Sequence, residues 1–346
     1  MATLEKINAF LKAVNAAAWG PPLLFLLLGT GIFLTIQLRA LPIRRLFFAL
    51  RTAFGREARY SGEKTEAGVS PFASLMTAEI GTGNIVGVAS AMALGGPGAL
   101  GWMMLAAVVG LALKFSESFL SVQYRMQRKD GTYCGGPMVT LTRAFPGERL
   151  AKMLAVFFAG SAVLVSLGMG NMTQANSIAL AMQDTFGVAR EKSALVLTIL
   201  LLLVVTGGLR SIAKAAEVLV PGMALFYLGG AGMVIGLHAG ELPRTLLAIV
   251  RDAFSFRAAS GGAVGAGISN EAGLGAGGIS AAAAQTDDPV RQGYISMTGV
   301  FVDTMVICLV TGLAVGVTGA AEGVLEAEKA DGAAMVIQAF ESVFGP

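Results

Sequence analysis

The sequence predicts an all-α polytopic membrane protein, and three observations carry that reading. The composition is 55% hydrophobic and 14% charged over 346 residues, with a mean hydropathy of +0.70. A soluble domain of this size could not solvate its surface with so few charges. Apolar runs of membrane-spanning length recur along the chain, as helices crossing a bilayer require. Two of these runs are interrupted by glycine-rich polar stretches: Gly81-Thr82-Gly83-Asn84 inside 70–96, and Ser269 to Gly275 inside 262–284. A bilayer core offers no water to backbone N–H and C=O groups, so unwound chain persists there only where protein or a solute satisfies it.

Spans are expected at 17–37, 70–96, 99–123, 149–185, 193–207, 215–238, 245–284 and 289–318, with a ninth starting near 333. Segments 149–185 and 245–284 exceed one crossing at about 1.5 Å per residue. Each must tilt, break, or extend outside the bilayer. The first run has its positive charge behind it and is followed by no small-residue cleavage site, so it reads as a retained span.

Arg39, Arg44, Arg45, Arg51, Arg56, Arg59 and Lys64 follow that span, against Glu57, Glu63 and Glu66. The positive-inside rule places this loop in the cytoplasm and the amino terminus outside. The loops with Arg125, Arg128, Lys129, Arg143 and Arg149, and with Arg210 and Lys214, then also fall inside; the acidic loop with Glu322, Glu326, Glu328 and Asp331 falls outside. Trp102 and Tyr124, near the ends of the third span, suit either interfacial anchoring or bundle packing.

Cys134 and Cys308 invite no disulfide, and no Cys/His cluster suggests a metal. His238, at a span end, reads as an interfacial residue without a chemical role. The net charge of +3 is what a positive-inside membrane protein needs and does not indicate nucleic acid.

The first break has distinct chemistry. Gly81 and Gly83 permit non-helical torsions, so carbonyls of one half-helix and N–H groups of the next can face a solute. Helix C-terminal carbonyls suit a small hard cation such as sodium, and helix N-termini suit a carboxylate. Asn84 adds an amide and Thr82 a hydroxyl. Scattered glycines such as Gly229, Gly230 and Gly232 read as close helix packing instead. The second break repeats the pattern with Ser269, Asn270 and Glu271 beside Gly273 and Gly275.

Two interrupted helices in corresponding places point to an inverted-repeat secondary transporter. The expected units are 1–69, a first helix and basic loop; 70–238, a first five-helix repeat; and 239–346, a partial second repeat. A second repeat of equal length would reach roughly residue 415, so a truncated second repeat is expected. Asn171 and Gln174, three apart, share a helical face. They form either a solute contact or an interhelical hydrogen-bond clamp.

The residues resemble the alanine or glycine:cation symporter family, which has a LeuT-like fold. The resemblance rests on residues 81–89 (GTGNIVGVA), 94–100 (LGGPGAL), 135–138 (GGPM), 170–177 (GNMTQANS), 269–275 (SNEAGLG) and 286–293 (TDDPVRQG) through Asp303. It implies symport of alanine or glycine with sodium, or with protons, by alternating access, with no cofactor beyond the coupling ion. It places the solute between Thr82, Gly83 and Asn84, Asn171 and Gln174, and Ser269, Asn270 and Gly273. The cation falls near Glu79, Gly81, Asn84 and Asn270. The implied location is a bacterial-type inner (plasma) membrane, with the lipid bilayer as the surrounding partner.

Charges inside spans are expensive and point to function or pairing. Lys114 and Glu117, at i and i+3, are expected to neutralise each other or brace the bundle. Asp303 is read two ways, as support for the cation path or as a structural acid bonded to backbone. Glu271 either caps a half-helix or pairs with a cation. Glu79 departs from the small or neutral residue the family suggests before the break; it is a cation ligand, a proton-coupling group, or a residue facing headgroups or a vestibule. Gly275-Ala276-Gly277-Gly278 also departs from the family's Ser-Ala-Pro pattern. The rival readings are a channel, an intramembrane hydrolase, and a non-transporting scaffold or sensor. The first lacks repeated filter loops, the second lacks a catalytic constellation, and the third gains weight from the expected truncation.

Overall fold

A computed structural model describes residues 21–55, 69–79, 81, 83–129, 131–320 and 332–345, with the single residues 9 and 58. Among the described residues the chain is all-α apart from one two-stranded hairpin. Helix α1 (Pro21–Gln37) starts on a proline pair, a residue whose fixed φ suits a helix start. It leaves Phe25, Phe33 and Ile36 exposed, an arrangement suited to a hydrocarbon solvent. Arg39 and Ala40 then turn the chain through positive φ into short α2 (Leu41–Arg44) and α3 (Leu46–Phe54). Helix α3 buries Ala49 and Ala53 and exposes Phe47, Phe48 and Phe54, the amphipathic pattern of a helix lying at a bilayer surface.

The first expected break is present. Helix α4 (Pro71–Glu79) stops and α5 (Gly83–Gly95) begins, so Gly83 and Asn84 already belong to the first turn of the second half-helix. Gly96, at φ 77°, and Pro97 lead into α6 (Gly98–Gln123). The start of α6 is fixed from a distant loop: Gly98 N donates to Asp252 Oδ2 at 2.9 Å, and Trp102 Nε1 donates to Ala253 O at 2.6 Å. Trp102 therefore acts in packing as well as at the helix end.

Strands β1 (Met126–Gln127) and β2 (Tyr133–Cys134) form the hairpin. Gly136, at φ 107°, precedes α7 (Pro137–Ala144). The segment expected to tilt, break or extend is one unbroken helix, α8 (Arg149–Phe186), of 38 residues. That is about 57 Å, so it outruns a bilayer core. It ends where Gly187 (φ 63°) donates to Gln183 O and Val188 to Met182 O, a glycine C-cap. Helices α9 (Arg190–Val205) and α10 (Gly208–Leu237) follow, and α10 starts before the expected residue 215. His238 caps α10, its ring Nδ1 lying 3.0 Å from Val234 O.

The other long segment breaks twice, into α11 (Leu242–Asp252), α12 (Phe256–Asn270) and α13 (Ala276–Ala282). Ser255 caps α12 by accepting from Ala258 N at 3.1 Å, as an N-cap serine does. Asp288 caps α14 (Pro289–Val300) by accepting from Val290 N and Arg291 N. The helix then loosens into a π-helix, Phe301–Cys308, before α15 (Leu309–Val317). Helix α16 (Gly332–Phe344) lies where the ninth span was expected. Among the described residues four helices are long and apolar enough to cross a membrane: Gly98–Gln123, Arg149–Ser166, Gly208–Leu237 and Pro289–Val317.

The two broken segments lie side by side and antiparallel, α4 against α13 and α5 against α12. At one end Val69 N donates to Ala283 O, Gln285 N donates to Val69 O, and Ser74 Oγ donates to Ser280 O at 2.9 Å. At the other end Arg257 donates to Leu94 O at 2.7 Å and to Ala93 O at 3.2 Å. Gly95 and Gly261 meet backbone to backbone, where a Cβ on either would stand at most 3.0 Å from the other's Cα. This small-residue contact is the kind that lets membrane helices approach closely. The core beside it joins Val88, Met92, Leu100, Met103, Met335 and Val336.

Candidate functional site

The residues around the two breaks converge on a buried polar cluster. Asn84, in the first turn of α5, is 2% exposed, and Ser269, one residue from the end of α12, is 6% exposed. Ser269 Oγ lies 3.1 Å from Thr304 Oγ1, 3.1 Å from Cys308 Sγ and 3.4 Å from Asp303 Oδ1. The Cys308 thiol donates to Asn84 O at 3.3 Å. Asp303, Thr304 and Cys308 are all fully buried. Thr304 Oγ1 lies 3.4 Å from Asp303 Oδ2, and Cys308 Sγ lies 3.8 Å from Asp303 Oδ1.

The π-helix explains how these three side chains share a face. In an α-helix, residues five apart point in different directions. The wider i→i+5 pattern brings Asp303 over Cys308, and π-segments of this kind mark functional sites often. The cluster therefore draws one backbone carbonyl from the first broken helix, one hydroxyl from the second, and a carboxylate and a hydroxyl from the π-helix. Oxygen donors with a single carboxylate form the donor set of a hard cation. A buried acid also needs such partners, because isolated charge is strongly disfavoured away from water.

The other expected site residues fall as follows. Gly81 faces α8: a Cβ there would lie 3.1 Å from Gln174 Nε2, so the structure brings Gln174 against the first break. Asn84 N donates to Gly81 O at 3.2 Å. Gly83 begins α5. Gly273, at φ 84°, meets Leu27 and Leu113, so its nearest neighbours come from α1 and α6. Its amide donates to Glu117 Oε2 at 3.1 Å. Glu79 ends α4 and Asn270 ends α12. Thr82, and the side chains of Glu79, Asn171 and Asn270, lie outside the described residues.

Glu271, the capping residue just after α12, sits in the left-handed region at φ 49°, a conformation that costs a non-glycine residue about 1–2 kcal/mol. Its carbonyl accepts from Leu274 N at 3.1 Å, and Gly273 and Gly275 complete the unwound stretch at φ 84° and 89°. Thr304 and Cys308 carried no signal in the sequence, because their approach to Asp303 depends on the π-helix. The trace that was present is an acid with an adjacent hydroxyl inside an apolar span.

Paired broken helices around a buried, oxygen-lined acid define a membrane transport protein rather than an enzyme, and comparison with known proteins gives the class its family. Residues 4–346 match the model of the sodium:alanine symporter family. The chain belongs to that family, and its class is amino-acid and sodium symport. It is 42% identical over 323 residues to the sodium/alanine symporter AgcS of Methanococcus maripaludis, covering 90% of this chain and 71% of that protein. A putative sodium/proton-dependent alanine carrier protein, YrbD of Bacillus subtilis, is 36% identical over 95% of this chain and 67% of its own length. A probable sodium/glutamine symporter, GlnT of Bacillus subtilis, is 39% identical over 86% of this chain and 63% of its own length.

Proposed function

We propose that this protein carries a small neutral amino acid, alanine or glycine, together with sodium, by alternating access around the two breaks of a LeuT-like inverted repeat. The observation that carries the reading is the Asp303 cluster, which links Asn84 of the first break to Ser269 of the second through oxygen and sulfur contacts. A sodium ion held there by Asp303, Thr304, Ser269 and the Asn84 carbonyl ties both breaks to the π-helix. The local shape of the solute site then depends on the ion, which is the physical basis of coupling.

The amides at the start of α5 suit the solute's carboxylate. Gln174, against Gly81, offers an acceptor for its ammonium. Glycine at Gly81 and Gly83 keeps the lining free of side-chain bulk, which suits a solute with a short side chain. The charge pattern of the loops supports an orientation with the amino terminus outside, in a lipid bilayer that we take to be a plasma membrane of bacterial type. The similarity to a protein named as a sodium/alanine symporter supports the same substrate pair.

Proton coupling is the second reading, supported by the ionisable Asp303 at the centre of the cluster. Reconstituted vesicles separate the two. Alanine uptake that follows an imposed sodium gradient and ignores a pH gradient supports the sodium reading, and competition by unlabelled glycine defines the substrate class. Uptake that follows the pH gradient alone overturns sodium as the coupling ion, and no gradient-driven uptake overturns transport in favour of a scaffold or sensor.

A further inference from the structure

The second break is held by a device outside the cation cluster. Helix α6 carries Lys114, Glu117 and Ser121 at spacings of three or four, so they share one face, and Arg125 follows two residues past its end. That face meets α13. The Glu117 carboxylate accepts from Gly273 N at 3.1 Å and from Gly278 N at 2.6 Å. One side chain therefore bridges the unwound loop and the first turn of α13. The sequence reading of Lys114 and Glu117 as a self-neutralising or bracing pair missed this backbone target.

Glycines make the seat. A Cβ on Gly277 would collide with the Lys114 ammonium, and one on Gly278 would stand 2.5 Å from Ser121 Oγ and 3.2 Å from Glu117 Cγ. This accounts for the Gly277-Gly278 pair that departs from the expected family pattern. At the other end of α13, the Arg125 side chain, 8% accessible, donates to Ala282 O at 3.1 Å, to Ala284 O at 2.6 Å and to Thr286 O. An acid at a helix start and a base at its end are the signs that the peptide dipoles favour. Lys114 and Glu117 both lie within electrostatic reach of Glu271, so the start of α13 sits in a charged setting of two acids and one base.

We propose that Glu117 and Arg125 hold α13 as a fixed passenger of α6, and that Glu117 is a positioning residue that sets the shape of loop 271–275 for solute binding. With both carboxylate oxygens on amides, this helix start is closed to the solute's own carboxylate, which is left to α5. The proposal rests on the transport reading above. Its test uses the full chain in vesicles, comparing wild type with Glu117→Gln. Glutamine keeps the shape but turns an NH2 group toward one of the two amide donors. Losing one charge-assisted hydrogen bond predicts an alanine KM raised about tenfold or more, with Vmax per folded molecule changed by less than about threefold. A purely structural role lowers Vmax at constant KM instead, and an unchanged KM overturns the proposal. A second readout needs no transport: a cysteine at Leu274→Cys should be alkylated about tenfold faster in the Glu117→Gln background, because the loop opens more often. Equal alkylation rates overturn the clamp even where uptake is absent, whereas absent wild-type uptake with faster alkylation overturns only the transport reading.

Discussion

Replacing Asp303 with asparagine removes the single negative charge from the cluster while keeping its size. A sodium ion seated among these oxygens lies within about 4 Å of the carboxylate, where a unit charge pair is worth roughly 4 kcal/mol at an effective dielectric of 20. Part of that is lost to desolvation, leaving about 1.5–3 kcal/mol, the range for a charge-assisted contact. The sodium concentration for half-maximal alanine uptake should therefore rise about 10- to 150-fold in Asp303→Asn. The assay is initial alanine uptake into vesicles over a range of external sodium, with choline keeping the ionic strength constant. Asparagine keeps one acceptor oxygen, so one of the hydroxyls of Thr304 and Ser269 keeps its acceptor, and the other must turn to accept from the new NH2 group. A variant that folds and takes up alanine with wild-type sodium dependence would refute the reasoning and leave Asp303 as a structural acid.

Other residues give independent checks. Cys308→Ser exchanges a soft sulfur, 3.1 Å from Ser269 Oγ and 3.3 Å from Asn84 O, for a hard oxygen; half-saturating sodium should fall or stay constant, and a large rise counts against the cation site. Gly81→Ala should change alanine KM by less than about threefold, since its Cβ meets the free end of Gln174, whereas the bulkier Gly81→Val should raise KM about tenfold or more through overpacking; equal effects would place Gln174 elsewhere. Asp252→Ala removes the acceptor for Gly98 N and should cost about 1–2 kcal/mol, read as a thermal midpoint lowered by roughly 2–4 °C per kcal/mol. An unchanged midpoint would show that α6 does not need this cap.

The membrane class and both breaks were legible because they rest on local rules. Composition forces burial in lipid, and a glycine-rich polar stretch cannot continue an apolar helix without a partner. The sequence marked the break at 269–275, but it could not tell that 149–185 would run unbroken or that 245–284 would split a second time at 253–255, since both segments are too long for one crossing. The difference lies in punctuation: Ser255, Gly273 and Gly275 stop and restart the chain in the second segment, and the polar residues of the first stay on a helix. Asn84 and Ser269 were named from their motifs, and the structure links them through Cys308. Thr304 and Cys308 escaped notice because helical periodicity assumes 3.6 residues per turn, and the π-helix abandons it. Glu117 was seen as a charge in need of a partner. Its partners are backbone amides 156 and 161 residues later in the chain, which no spacing in the sequence announces.

The most direct test of the account is alanine-dependent sodium flux in one set of vesicles. Radiolabelled sodium is followed with and without external alanine, at zero membrane potential and matched pH. Coupled transport through the Asp303 cluster predicts sodium entry that rises with alanine, saturates, and is lost in Asp303→Asn at low sodium. Alanine entry with no accompanying sodium, or sodium entry indifferent to alanine, would contradict the central claim.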